Sequence, residues 1–385
     1  MGALVWEHFL NDGMANYVPG ILPLLVSERH FSLVLVGSLL SLITLAQMLQ
    51  PMFGIVADRL GGRWFMLWGP VCTALGGIGV AIFPSVAMVL ASLVLIGIGN
   101  NVFHPQALAT VRRRVRAGAA GLAMSIFLIG GELGRALGPV MVGALAVAWG
   151  LNRVWLMALP VVLTWPFVMR WIPSLPATRS ARWSLRGLPF RPAAPLILYA
   201  ALRAVLVLGL STYMPLVWRA EGGQVVAGAS LVTALIGAGT IGNAAGGALR
   251  DRVGPGPVVW FSLGLIIVLL AILIFHVAHG VWMWPVLGGI GAALFASWPS
   301  AIMAVQDIFH ANPSMGSGIG LGFGNGIGAV LSFPLAFVAA HWGLGPAVDA
   351  LLGVAMLMVV PVSLVPAWRL NQWGPGSATL RSRGM

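Results

Sequence analysis

Apolar residues run along this chain in long blocks, separated by short stretches rich in Arg, Pro and Gly. At about 20 residues per bilayer crossing, the blocks predict spans at approximately 4–26, 31–57, 64–83, 86–110, 117–148, 152–172, 194–218, 225–249, 257–278, 280–306, 315–341 and 345–368. Each is expected to be helical, because a crossing segment must satisfy its own backbone polar groups in hydrocarbon. The longest connection, Ile172 to Ala194, is rich in Pro and Arg and reads as a linker. Repetition supports that division. Asp58-Arg59-Leu60-Gly61 recurs as Asp251-Arg252-Val253-Gly254, and Trp149-Gly150-Leu151 as Trp342-Gly343-Leu344, both at an offset of 193 residues. The pattern predicts an all-α membrane protein of twelve transmembrane helices in two parallel six-helix halves, 1–172 and 194–385, joined by a cytoplasmic linker at 173–193.

Composition removes the alternatives. A chain that is 59% hydrophobic and 8% charged, with a mean hydropathy of +0.96, is no water-soluble globule, in which the charged share is about 25%. The net charge of +12 comes from Arg alone, so its placement matters more than its size. Sixteen Arg residues fall in loops and ends on the side of the termini and three on the other, while Arg135 and Arg203 lie inside spans. This is a topology signal that puts both termini in the cytoplasm. The Arg112–Arg116 cluster is read the same way, facing anionic lipid. The expected partners are membrane lipid, protons and a small-molecule substrate, with no nucleic acid, and the chain is expected to be a monomer. Cys72 is the single cysteine, which excludes an intramolecular disulfide. No metal-ligand set, cofactor motif or nucleophile–base pair is evident, so neither metal nor cofactor nor enzyme chemistry is expected. The first apolar run lacks a basic leader and a cleavage site and is read as a retained span.

Polar residues inside the spans carry the candidate chemistry, since a charge at a bilayer centre costs about 2.5–3.5 kcal/mol on insertion scales. Glu132 and Arg135 share one face of the fifth span. Gly134-x-x-x-Gly138-Pro139 beside them makes a smooth face for another helix, with the two halves as the expected rocking partners. In the first span His8, Asn11, Asp12 and Asn16 fall on one broad face. His8 and Asp12, four residues apart, either share a proton or bond a neighbouring helix. Pro19 and Pro23 interrupt the outer part of that span. The fourth span ends in Asn100, Asn101 and His104, with Pro105 weakening the helix, and His104 is either a structural histidine or a gate or substrate contact.

The seventh span carries Arg203 with Tyr199, Thr212 and Tyr213, a cationic and aromatic wall. Arg203 either meets cargo or neutralises Asp12 or Glu132. At the 193 offset Glu132 becomes Asn325 and Arg135 becomes Gly328, so this ionisable pair is confined to the first half. Asp307 and His310 near the end of span ten suit a helix-end bond. The Gly-rich start of span eleven suits close helix contact. The candidate proton-coupling residues are thus Asp12, Glu132 and His8. Asn11, Asn16, His104, Arg135, Tyr199, Arg203, Tyr213 and Asn325 are candidates for substrate contact.

The spacing also carries a resemblance. FGIVADRLGGRWFM (53–66), with Gly54, Asp58, Arg59, Gly61 and Arg63, resembles the loop signature of the major facilitator superfamily, and Asp251 and Arg252 stand in its second copy. The resemblance implies a conformational latch. An acid near a helix start is favourable by about 0.3–1 kcal/mol, small enough to break in each cycle. The Gly134, Gly138, Pro139 run resembles the span-five signature of that superfamily's proton antiporters. HFLNDGMANYVPGILPLL (8–25), NVFHPQALATVRR (101–113) and GLAMSIFLIGGELGRALGP (121–139) look like the fosmidomycin-resistance branch, which exports a phosphonate antibiotic. What this implies is a drug:proton antiporter of the bacterial inner membrane, moving an amphiphilic or anionic small molecule outward by alternating access. A proton symporter taking up an organic anion, or a non-transporting membrane sensor, would use the same scaffold.

Overall fold

The computed structural model describes residues 1–49, 52–53, 62–114, 120–172, 190–275, 280–308 and 322–368. Every predicted crossing contains a helix, and among the described residues there is no strand. The helices are α1 (Gly2–Ala15), α2 (Leu22–Ser27), α3 (Leu33–Leu45), α4 (Arg63–Ile82), α5 (Val86–Arg114), α6 (Ala120–Trp149), α7 (Leu159–Trp171) and α8 (Phe190–Ala220). There follow α9 (Val225–Val253), α10 (Pro255–Ile274), α11 (Met283–Ala296), α12 (Trp298–Ile308), α13 (Gly324–Trp342), α14 (Leu344–Leu357) and α15 (Val359–Leu364). Among the described residues, ten helical stretches are long and apolar enough to cross a membrane. The first and second crossings are the shorter ones, α1 with α2 and α3 with its 3-10 extension Ala46–Leu49.

Local sequence explains where the helices stop. α1 ends where Asn16 donates its side-chain amide to the Asp12 carbonyl at 2.9 Å. A 3-10 turn, Val18–Ile21, carries Pro19, and α2 restarts with Pro23 in its first turn, where the missing N–H costs nothing. Pro105 has no such effect, and α5 runs unbroken through it. α3 is capped by Ser32, whose hydroxyl accepts from the Leu35 N–H at 3.2 Å. Gly150 (φ 83°) and Gly343 (φ 97°) lie just beyond the ends of α6 and α13 in a conformation that favours glycine, and the two are 193 residues apart. The internal repeat therefore extends to the caps.

The packing repeats as well. α1 lies on α6 and α4 on α5, while the equivalent pairs α8 with α13 and α10 with α11 pack in the second half. Between the halves, α3 packs on α13 and α6 on α9, and α2 touches α8. Thr233 on α9 donates its hydroxyl to the Ala136 carbonyl on α6 at 2.6 Å. The outer surface is apolar, with Val162, Phe167 and Phe261 exposed, and the exposed Trp149, Trp171, Trp282 and Trp342 mark helix ends. Lipid solvates the first set, and indole rings favour the headgroup level.

Two expectations change. Gly134 and Gly138 do not face the second half. A Cβ at Gly134 would stand 2.8 Å from the Gly13 nitrogen, and one at Gly138 would stand 2.6 Å from the Gly13 carbonyl oxygen, so these glycines bring α1 and α6 of the same half together. The contact across the halves falls instead to Ala136 and Gly143, the latter beside Ala229 on α9, while Pro139 packs against Gly20. The second change concerns Asp251. It lies in the last turn of α9, so the helix end favours its neighbours Arg250 and Arg252 rather than the acid. Gly54, Asp58, Arg59, Gly61 and His310 lie outside the described residues, as do the 173–189 part of the linker and the side chain of Asp307.

Candidate functional site

Span one delivers its polar face to the interior of the first half. Asp12 is buried, and so are Glu7, His8 and Asn11. The Asp12 carboxylate lies 3.5 Å from His8 Nε2 and 3.2 Å from Nε2 of His104, which reaches across from α5. The two imidazole Nε2 atoms are themselves 3.2 Å apart. Asn11 donates to Asp12 Oδ1 at 3.1 Å, and Thr73 of α4 donates to Asn11 Oδ1 at 2.9 Å, so the carboxylate is fixed from behind.

The far sides of both rings settle their tautomers. His8 Nδ1 lies 2.8 Å from the Phe127 carbonyl and His104 Nδ1 lies 2.9 Å from the Asn100 carbonyl. A backbone carbonyl can only accept, so both Nδ1 atoms carry hydrogen. When both rings are neutral, both Nε2 atoms then present lone pairs to each other and to the carboxylate. Three lone-pair donors converge at these distances only around something positive, and one proton shared among them meets that requirement. Phe127 stacks on the His8 ring at 4.1 Å between centroids, which holds the plane. Gly131 lies against the same ring, where any larger side chain would collide with it.

A second cluster spans the two halves. Arg135 Nη1 lies 3.3 Å from Glu132 Oε1, and both side chains are partly exposed. Across the interface, Arg203 of α8 is buried, donates Nε to the Leu294 carbonyl at 3.0 Å, and lies 4.7 Å from the Phe295 ring centre and 4.1 Å from that of Trp298. Arg135 approaches the same Phe295 ring at 5.9 Å. One aromatic ring therefore sits beneath two guanidinium groups, one from each half, an arrangement that concentrates positive charge at a largely desolvated spot. Arg203 pairs with neither Asp12 nor Glu132 among the described contacts.

The remaining candidates are more dispersed. Tyr199 is buried, bonding Ser297 at 2.5 Å and packing edge-on to Trp368, and Tyr213 is buried near Gly37 of α3. Asn16 caps α1, and Asn325 stands on α13 at the position equivalent to Glu132. Arg63 bonds the Met169 carbonyl at 2.5 Å, tying the start of α4 to the end of α7, and exposed Asp251 lies 3.7 Å from Arg250. Asn101 donates to the Ala46 carbonyl at 2.5 Å, beside a cavity of about 530 Å³ lined mainly by apolar side chains such as Leu42, Met48 and Leu93 of the second and fourth crossings. Glu7, absent from the sequence-derived candidates, is buried, and neither carboxylate oxygen has a hydrogen-bond partner among the described residues. Its signal was available, an acid one helical turn before Asn11 in an apolar run.

A twelve-crossing helical fold in two repeated halves, with ionisable groups at mid-helix and a charged seam between the halves, defines a multi-pass membrane transporter. The chain belongs to the Major Facilitator Superfamily, whose family model matches residues 8–333. It is 27% identical over 353 residues to the fosmidomycin resistance protein of Escherichia coli (strain K12), covering 89% of this chain and 86% of that one. It is also 24% identical over 390 residues to YfnC, an uncharacterized MFS-type transporter of Bacillus subtilis (strain 168), covering 95% and 92%. A shorter match of 122 residues, 31% of this chain and 24% of the relative, is 32% identical to the multidrug efflux pump LfrA of Mycolicibacterium smegmatis. Among solved structures, the nucleoside transporter NupG superposes with a TM-score of 0.75 at 14% identity, covering 94% of this chain and 98% of that one. The peptide transporter POT in complex with sulfate gives 0.75 at 16% identity and 94% of both chains. The family and these neighbours are transporters, not enzymes.

Proposed function

We propose that this protein is a proton-coupled exporter of amphiphilic or anionic small molecules, drug-like or phosphonate-like, working by alternating access in a bacterial inner membrane. Both termini and the 173–193 linker face the cytoplasm, and the halves 1–172 and 194–385 rock against each other. The observation that carries the reading is the His8–Asp12–His104 triad, whose three polar groups lie 3.2–3.5 Å apart, an arrangement suited to one shared proton. Asp12 and His8 carry that proton with His104, and Glu132 exchanges partners with Arg135 as the site fills. An anionic group on the cargo would settle between Arg135 and Arg203, which approach one ring from opposite halves. Cargo arrival and proton departure are then linked by charge, since an anion beside Arg135 frees Glu132 and alters the field at the nearby triad.

The apolar cavity beside Asn101 suits the non-polar part of an amphiphilic cargo. Tyr199, Tyr213, Asn11, Asn16 and Asn325 support the site from behind. The loop residues Gly54, Asp58, Arg59 and Gly61, with Arg63, Asp251 and Arg252, form the cytoplasmic latch, and Gly134, Gly138 and Pro139 keep span one seated as span five moves. The relatives named for fosmidomycin resistance and multidrug efflux support the outward direction. The test uses proteoliposomes with an imposed pH gradient and fosmidomycin as probe. Wild type accumulates it uphill, and an Asp12→Asn, Glu132→Gln double variant only equilibrates it. Uphill movement by the double variant would end the coupling assignment.

A further inference from the structure

The three lone pairs that meet a proton also meet the requirements of a larger cation. His8 Nε2, His104 Nε2 and a carboxylate oxygen of Asp12 all lie within 4.8 Å of one another. The two imidazole Nε2 atoms are 3.2 Å apart, Asp12 Oδ1 lies 3.2 Å from His104 Nε2, and Asp12 Oδ2 lies 3.5 Å from His8 Nε2. A tetrahedral zinc ion with bonds of about 2.0–2.1 Å has corners about 3.3–3.4 Å apart. Each of these separations is close to an edge of that tetrahedron, and a turn of the carboxylate that presents one oxygen to both nitrogens gives a three-ligand site.

The surroundings are those that a bound metal uses. Each ligating histidine normally donates its other ring N–H to a carbonyl or carboxylate, which fixes the tautomer and aims the free nitrogen at the ion. Phe127 and Asn100 supply those carbonyls here. Asn11 and Thr73 hold the carboxylate in turn. His104 is the member with the most exposed side chain, at 20%, so the approach for the ion and for a fourth ligand lies on its side. Two imidazoles and one carboxylate select a borderline divalent ion over magnesium or calcium, which prefer oxygen donors in larger number.

We propose that His8, Asp12 and His104 form a binding site for a divalent transition-metal cation of the zinc class, with three protein ligands and one open position. The ion takes the lone pairs that the proton would otherwise hold, so the two occupants are mutually exclusive. Bound metal ties α1 to α5 and is an inhibitor of transport. The site stands on donor geometry and not on the coupling scheme. If coupling survives loss of Asp12 while metal binding is lost, the proton reading fails and this one stands.

The experiment titrates Co2+ into the purified full-length protein in detergent. The expected result is the intense visible d–d absorption of tetrahedral Co2+, saturating at one ion per chain and bleached by Zn2+. His104→Gln, His8→Gln and Asp12→Asn should each weaken Zn2+ binding beyond the about 10–100-fold that loss of an outer-shell partner costs. His341→Gln, at an exposed histidine far along the chain, and Cys72→Ser should leave it unchanged. His104→Cys, with thiolate in place of imidazole, should keep the site and add a sulfur-to-cobalt charge-transfer band. That variant decides the matter should His104→Gln fail to fold. Weak octahedral absorption, binding that survives His104→Gln, or a His104→Cys spectrum without the sulfur band overturns the proposal.

Discussion

Cross-linking Gly143 to Ala229 tests whether the seam between α6 and α9 opens during transport. An ideal Cβ at Gly143 lies 3.4 Å from the Ala229 Cβ, at the edge of the about 3.5–4.5 Å that a disulfide spans. A Gly143→Cys, Ala229→Cys variant in a Cys72→Ser background, which removes the single native thiol, should therefore oxidise with a displacement of a few tenths of an ångström. The bond closes a loop of roughly 87 residues, which constrains the unfolded chain by about 4.6 kcal/mol in the chain-entropy treatment. Oxidation should accordingly raise the thermal unfolding midpoint, reporting a bond made without strain. Alternating access requires one side of the seam to part, and Gly143 stands about 10 Å along α6 from Ala136 at 1.5 Å per residue, away from the terminal side. The oxidised protein should be both more stable and inactive in fosmidomycin flux, with dithiothreitol reversing both. A quantitatively oxidised protein that transports at the reduced rate would show that this seam stays closed through the cycle, and a pair that never forms the bond would show that Gly143 and Ala229 are not neighbours.

Three further outcomes follow from the packing. Gly134→Val should separate α1 from α6, since its Cβ would meet the Gly13 backbone nitrogen at 2.8 Å; the expected loss is about 1–3 kcal/mol by denaturant unfolding, against no loss for Gly264→Ala, which has open space. Glu7→Met should raise stability by about 1–3 kcal/mol, because it removes a buried carboxyl that has no hydrogen-bond partner among the described residues; a drop in the unfolding midpoint would mean that Glu7 contributes an interaction. Arg203→Gln should weaken fosmidomycin binding by about 10–100-fold, the worth of one charge-assisted hydrogen bond, and unchanged affinity in a calorimeter would remove Arg203 from the cargo site.

Span positions, the two-half repeat and the break after α1 were legible because each depends on residues close in sequence. Hydrophobic length fixed the crossings, and Pro19 with Pro23 marked the break where the 3-10 turn forms. The face shared by His8 and Asp12 was legible from helical spacing, whereas the partner that completes the site was not. His104 lies 92 positions from Asp12 in a different helix, and spacing carries no information about which helices touch. The same limit explains Gly134 and Gly138. A small-residue face announces a close neighbour without naming it, and the neighbour is span one of the same half. Asp251 depended on where a helix ends, which Gly254 at φ 89° sets three residues later. The Arg135–Phe295–Arg203 cluster joins three separate helices, and only the charges within it were visible beforehand.

In the proposed cycle, outward cargo movement is exchanged for protons. Proteoliposomes enclosing a pH-sensitive dye, equilibrated at one pH, test it when fosmidomycin is added outside. Cargo entering by exchange must carry protons out, so the lumen should become more alkaline with wild type and stay level with Asp12→Asn or protein-free vesicles. Fosmidomycin entry with no change in lumen pH, or with acidification, would rule out exchange of cargo for protons.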